Sequence, residues 1–117
     1  MAFTQTSGLL AAVTPNSATE QTLYTVLAGT KMSGALIINN ISLTNATLVT
    51  VKVTGVGMTG YLVYRHALSA ADLPGSSLEL RAIVLGPGQI MSVTSSVANT
   101  ANFTLTGYTA PSSAVTL

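Results

Sequence analysis

The sequence predicts an all-β chain: a single antiparallel β-sandwich of about eight strands, jelly-roll-like, with one short helical turn. Three observations predict it. Apolar residues alternate with Thr, Ser and Lys at a period of two over much of the chain. Clusters of Gly, Pro and Asn interrupt that alternation every 8–12 residues or so, roughly the spacing of short strands in a sandwich or barrel. Finally, 48% of the residues are hydrophobic but only 5% are aromatic, so the core is built from aliphatic and β-branched side chains that suit a pleated surface.

Taken in order, a first and weaker strand covers 8–13. Residues 21–27 and 31–41 are strand-like by their Thr, Val, Ile and Tyr content, and Ala28-Gly29-Thr30 joins them tightly. From Asn39 to Ala46, three asparagines and a Ser-Leu-Thr spacer indicate a loop. Residues 48–56 alternate most cleanly, with Val49, Val51 and Val53 on one face and Thr50, Lys52 and Thr54 on the other. Gly55-Val56-Gly57-Met58-Thr59-Gly60 is a bulged or looped link into a strand over 60–66. The helical turn falls at 69–73, where Ser69 caps, Asp72 completes an S-x-x-D box and Pro74-Gly75 stops it. In 77–85, Leu78, Leu80, Ala82 and Val84 are expected to share a face, with Glu79 and Arg81 pointing away. Gly86-Pro87-Gly88 is the sharpest turn, because Pro presets φ and Gly allows it to be positive. Strands over 89–95 and 101–108 complete the set, the latter with Ala101, Phe103 and Leu105 on one side and Asn102, Thr104 and Thr106 on the other. Residues 1–117 read as one domain, with 1–6 and 111–117 as tails or arms.

Charge narrows the function. The ionised side chains are Lys31, Lys52, Arg65 and Arg81 against Glu20, Asp72 and Glu79, or 6% of the chain, where about a quarter is ordinary. Four scattered cations cannot neutralise a useful run of phosphates, so no nucleic-acid partner is expected. No apolar stretch approaches the roughly 18 residues of a spanning helix, and residues 1–13 lack the basic start of a signal peptide, so no membrane partner is expected. With no cysteine, thiolate chemistry and disulfides are excluded.

The remaining chemistry is thin. His66 and Asp72 can meet across one loop, but there is no third metal ligand near them and no G-x-S-x-G elbow. Catalytic, cofactor-binding and metal sites are therefore all expected to be absent, and the protein is read as a non-enzyme. Gly55, Gly57 and Gly60 resemble a phosphate loop short of its last glycine, and they join strands rather than a strand and a helix. Glycan stacking would need exposed aromatics. Tyr24, Tyr61, Tyr64 and Tyr108 are the candidates, with Tyr61 and Tyr64 expected on opposite faces of their strand.

The stretch Leu23-Tyr24-Thr25-Val26-Leu27-Ala28-Gly29-Thr30 resembles the opening strand of small tailed-bacteriophage virion structural proteins. The similarity continues through Leu36-Ile37-Ile38-Asn39-Asn40, Leu85-Gly86-Pro87-Gly88-Gln89-Ile90, Val93-Thr94-Ser95-Ser96 and Asn102-Phe103-Thr104-Leu105-Thr106-Gly107. Leu27 stands where that family often has proline, and Tyr108 where an acidic residue is common. The resemblance implies a β-sandwich component of a virion: a capsid decoration (cement) protein, a tail or neck part, or a fibre-base module.

The expectation is a phage capsid decoration protein on the capsid surface, a homo-oligomer (trimer favoured) whose partners are the major capsid protein or other virion proteins. The alternatives are a tail-tip or fibre-associated receptor- or glycan-binding module, and a tail or neck ring protein. Scarce charge lowers the desolvation cost of a large interface, and a closed oligomer would cover sheet edges that otherwise template strand pairing. Phe3, Leu9, Leu10, Val115 and Leu117 are apolar groups that the sandwich pattern does not need, and are the candidate partner contacts.

Overall fold

The computed structural model describes the backbone of residues 6–55 and 58–111 and the side chains of 7–55 and 64–111. Eight antiparallel strands form: β1 (Thr6–Val13), β2 (Gln21–Thr25), β3 (Thr30–Asn40), β4 (Thr47–Gly55), β5 (Met58–Leu68), β6 (Ser77–Leu85), β7 (Ile90–Ser95) and β8 (Ala101–Pro111). Thr6 and Pro111, expected in the tails, are paired strand residues opposite Thr109 and Thr30. Residues 1–5 and 112–117 lie outside the described residues.

The strands make two four-stranded sheets, ordered β1-β8-β3-β6 and β2-β7-β4-β5. First pairs with eighth, second with seventh, third with sixth and fourth with fifth. The chain is thus a long hairpin folded over on itself, which is jelly-roll connectivity. The β1–β2, β3–β4, β5–β6 and β7–β8 connections gather at one end (the loop end), stitched by backbone bonds from Ile41 to Thr100, Ala71 to Ser42 and Asn99 to Pro15. At the opposite end (the turn end) the β2–β3 and β6–β7 turns are joined by Val26 N–H to Gln89 O and Gly88 N–H to Val26 O.

The core lies between the inner rows. Val49, Val51 and Val53 of β4 and Ala101, Phe103 and Leu105 of β8 are buried, as their alternation predicts. Met32, Leu36 and Ile38 of β3 and Met91 and Val93 of β7 complete its centre. Gly86–Gln89 closes as a type II turn, with Gly88 at φ +76° and Gln89 N–H donating to Gly86 O.

The helical turn expected at 69–73 does not form. Asp72 adopts φ +67°, which ends any right-handed helix, and Leu73 and Ser76 instead close successive β-turns onto Ala70 O and Leu73 O. In β6 the expected face fails halfway along. Ala35 stands opposite both Arg81 and Ala82, because the register passes from Leu36–Leu80 to Gly34–Ile83. The bulge, with Ala82 at φ +58°, reverses the phase. Leu78, Leu80, Ile83 and Leu85 therefore pack on the core, while Val84 is 67% exposed. A register break in β5 likewise places Tyr64 opposite Val51, in the inward row of β4. The expectation that Tyr61 takes the opposite face falls on a side chain outside the described residues.

Register breaks follow a rule. The pairings that end in an edge strand, β1·β8, β2·β7, β3·β6 and β4·β5, all contain at least one, and β4·β5 contains two. The central pairings β3·β8 and β4·β7 contain none. Bulged edges resist pairing with another chain.

Two local devices fix the frame. Gly8, Gly107 and Gly34 share one rung of the β1-β8-β3 sheet, and a Cβ at Gly34 would sit 2.0 Å from Thr106 O. At the loop end, buried Asn40 ties the β3–β4 and β5–β6 connections together. Its Nδ2 donates to Asn45 O (2.7 Å) and Ser69 O (3.0 Å), and its Oδ1 accepts from Ser42 N–H (2.8 Å).

Four substitutions, at Gly34, Ala82 and Asn40, test these devices and the β6 bulge by thermal and urea denaturation. Gly34→Ala costs about 3 kcal/mol, since backbone and not a flexible side chain must move, and lowers Tm by roughly 10 °C. A wild-type melt would show that the close approach is not real. Ala82→Gly is neutral or stabilises by up to about 1 kcal/mol, because relief of the left-handed strain outweighs the added unfolded-state entropy. Asn40→Asp sets a carboxylate against two carbonyls, which raises its folded pKa above its unfolded one. Its penalty relative to wild type, about 3 kcal/mol at pH 7, therefore shrinks as pH falls through that folded pKa, whereas the penalty of Asn40→Ala stays flat.

Candidate interaction surface

The chemically reactive groups do not converge. His66 lies on edge strand β5 opposite Val49, exposed, with its ring 5.8 Å from that of Tyr64. Asp72 sits in the exposed β5–β6 loop. Among the described residues no group of three His, Cys, Asp or Glu side chains could hold a metal ion. Two ion pairs occur among them, Lys52–Glu20 at 3.7 Å and Arg81–Glu79 at 2.6 Å.

Of the expected partner contacts, Phe3, Val115 and Leu117 lie outside the described residues. Leu9 and Leu10 are separated by the β1 register break. Leu9 is 65% exposed, whereas Leu10 packs against the core. Of the two that are described, Leu9 is the one with an exposed side chain.

The outer face of the β1-β8-β3-β6 sheet extends from Leu9. One rung reads Ser7, Tyr108, Ser33 and Val84, and the next contains Leu9, Thr106 and Ala35. A further rung holds Ala12, Thr104, Ile37 and Glu79. Leu9, Ile37, Val84 and Tyr108 are all exposed, so four strands present apolar groups set among hydroxyls. The opposite sheet differs. Its outer positions include Thr22, Thr25, Thr50, Thr54 and Thr94, with Lys52 and Arg65 as its cations.

Two further features lie outside the contacts expected from the sequence. At the loop end Ile41, Leu43 and Leu73 stand exposed, Leu43 at 72%. Ser42 Oγ accepts from Asn45 N–H (3.0 Å), and Ala71 N–H bonds Ser42 O (2.7 Å), so both loops are held in place beside Asn40. The signal was available: a leucine in an Asn/Ser loop has no inner row to join. The second feature is a cleft of about 470 Å³ at the β6 edge, lined by Leu80, Ile83, Val84 and Leu85 with Val53 and Met91 across the sandwich. Arg81 and Glu79 also border it. It depends on the bulge, so periodicity alone could not reveal it.

No family model matches the sequence, and no curated protein matches it significantly. Among solved structures, the chain is similar to a protein of the T13 viral particle of infectious bursal disease virus, with TM-score 0.43 and 10% identity over 92% of this chain and 30% of that one. It is also similar to the CBM22-1–GH10 modules of Clostridium thermocellum xylanase 10B, with TM-score 0.45 and 10% identity over 98% of this chain and 25% of that one. A third is Eiger TNF from S. frugiperda, with TM-score 0.43 and 12% identity over 98% and 96% of the two chains. The chain thus spans under a third of the virus protein and a quarter of the xylanase chain. At these scores the likeness identifies neither a family nor an activity.

Proposed function

We propose that the chain is a non-enzymatic structural component of a phage virion, decorating the capsid shell as a homo-oligomer, a trimer at a local threefold. The observation that carries this reading is the surface itself. Exposed aliphatics on the β1-β8-β3-β6 face and at the loop end lie among hydroxyls, with few ions to strip of water on contact. Because the edge pairings are register-broken, association runs through faces and loops and not through added strands. The mechanism is mechanical. Each copy buries apolar and hydroxyl surface across capsomer boundaries, and binding to the intact shell stabilises it against expansion or rupture by mass action.

The tail-tip glycan-binding alternative has less surface to use. Tyr24 and Tyr64 pack against the core, and Tyr108 is the exposed tyrosine among the described side chains. A neck or tail ring draws on the same faces as a decoration protein and differs in copy number.

Quantitative mass spectrometry of purified particles tests the assignment. Hundreds of copies per particle are expected, together with rebinding to emptied shells and a raised rupture temperature. A handful of copies confined to the tail overturns decoration in favour of the tail readings, and absence from particles overturns all of them.

A further inference from the structure

We infer that the outer face of the β1-β8-β3-β6 sheet pairs with the same face of a second copy about a twofold axis. The inference goes beyond the reading above and does not rest on it, since a threefold on a shell would use other surfaces such as the loop end. Area, relief and charge each fit this face to itself. Its outward rungs run from Lys31 to Asn39 on β3, about 30 Å, and across four strands, about 19 Å. That is roughly 500 Å² in plan and more in accessible surface, comparable with the roughly 800 Å² that each partner gives to a standard interface.

The relief is symmetric along the strands. The rung of Leu9, Thr106 and Ala35 lies midway between the rung of Ser7, Tyr108, Ser33 and Val84 and that of Ala12, Thr104, Ile37 and Glu79. A twofold axis along the middle rung therefore lays each flanking rung over the other flanking rung of the second copy. Ile37 then stands over Ser33, Tyr108 stands over Thr104, and Leu9 meets Leu9. The protruding groups Ile37 and Tyr108 fall on smaller ones, as two sheets must arrange to interdigitate at a separation of about 10 Å.

Charge selects the same axis. Across β1, β8 and β3 the middle rung carries no ion, and Arg81 at the β6 edge is held by Glu79 of its own chain. Lys31 makes no ion pair among the described residues, and it shares the turn-end rung of the face with Ala110. The corresponding rung at the loop end holds Asn39, Asn102 and Ser77. The axis across the strands sets each Lys31 ammonium over those amide and hydroxyl acceptors. An axis along the strands would instead leave the two Lys31 side chains at the same end, side by side. The contact uses one patch on both copies, so it is isologous and closes at two.

Size-exclusion chromatography with light scattering on the full chain tests the pairing at about 100 μM, far above the Kd of a stable interface. Wild type is expected as a dimer, or as a hexamer if the threefold proposed above also forms off the shell. Leu9→Lys and Leu9→Glu each set like charges together on the axis. Each is expected to weaken pairing at least roughly a hundredfold and so to halve the mass. Leu9 is exposed on an edge strand, so both variants keep a near-wild-type melt. An equimolar mixture of the two sets ammonium against carboxylate and restores the wild-type mass, which requires Leu9 to meet its own copy. Thr106→Lys, also on the axis, is a second variant expected to halve the mass. Leu43→Ser, at the loop end, leaves the pair intact.

A wild-type monomer or trimer overturns the inference. So does a dimer or hexamer that survives both Leu9→Lys and Thr106→Lys, or a mixture of the two Leu9 variants that stays at half the mass. None of these outcomes bears on the virion reading, which the copy number on particles decides.

Discussion

Eleven residues of β3, Thr30–Asn40, pair in unbroken register with β8, and the rest of the sandwich takes its reference from that ladder. It sets Met32, Leu36 and Ile38 beside Leu105 and Phe103 on the inner face. It also passes through the Gly34–Gly107 contact, where the two backbones approach too closely for a side chain. A slip of one residue would turn every one of these positions outward and drive a Cβ into a carbonyl. The β4·β7 ladder does the same for the opposite sheet, with Val49, Val51 and Val53 beside Ser95, Val93 and Met91.

Outside these two ladders the chain departs from regularity at every edge pairing. Exposed edges are the ordinary hazard of a sandwich, and this sequence has few charges with which to guard them. Covering by neighbouring copies is one solution, and it motivated the expectation of a closed oligomer. The register breaks are another, and they act within a single chain. What remains for contact is the apolar outer face, the loop end and the β6 cleft. The bulge that blunts the β6 edge also turns Val84 outward and Ile83 inward, and so shapes the cleft.

Polar satisfaction is handled by amides and hydroxyls instead of ions. Asn40 uses both Nδ2 hydrogens and Oδ1, Thr100 Oγ1 donates to Val97 O at 2.6 Å, and Ser96 Oγ accepts from Leu48 N–H at 2.8 Å. Among the described residues no buried side-chain nitrogen or oxygen lacks a partner. Neutral groups carry a smaller desolvation cost than ions, so the loop end is held together by amides and hydroxyls without a buried ion.

By itself the sequence determined the strands, the turns and much of the core. Valines at every second position from Val49 to Val53 and the Ala101, Phe103, Leu105 series have one stable burial each, and Pro87-Gly88 allows one kind of turn. These are local consequences of period and backbone preference. Tertiary structure decided the rest. Whether Ala82 and Val84 face inward depends on how β6 registers against β3, and the inward row of Tyr64 depends on how β5 registers against β4. The exposure of Leu43 and Leu73 and the cleft at the β6 edge likewise arise from strands and loops distant in sequence. A bulge shifts the phase of all that follows it, and its energy lies in contacts with a partner strand that no local window of sequence contains.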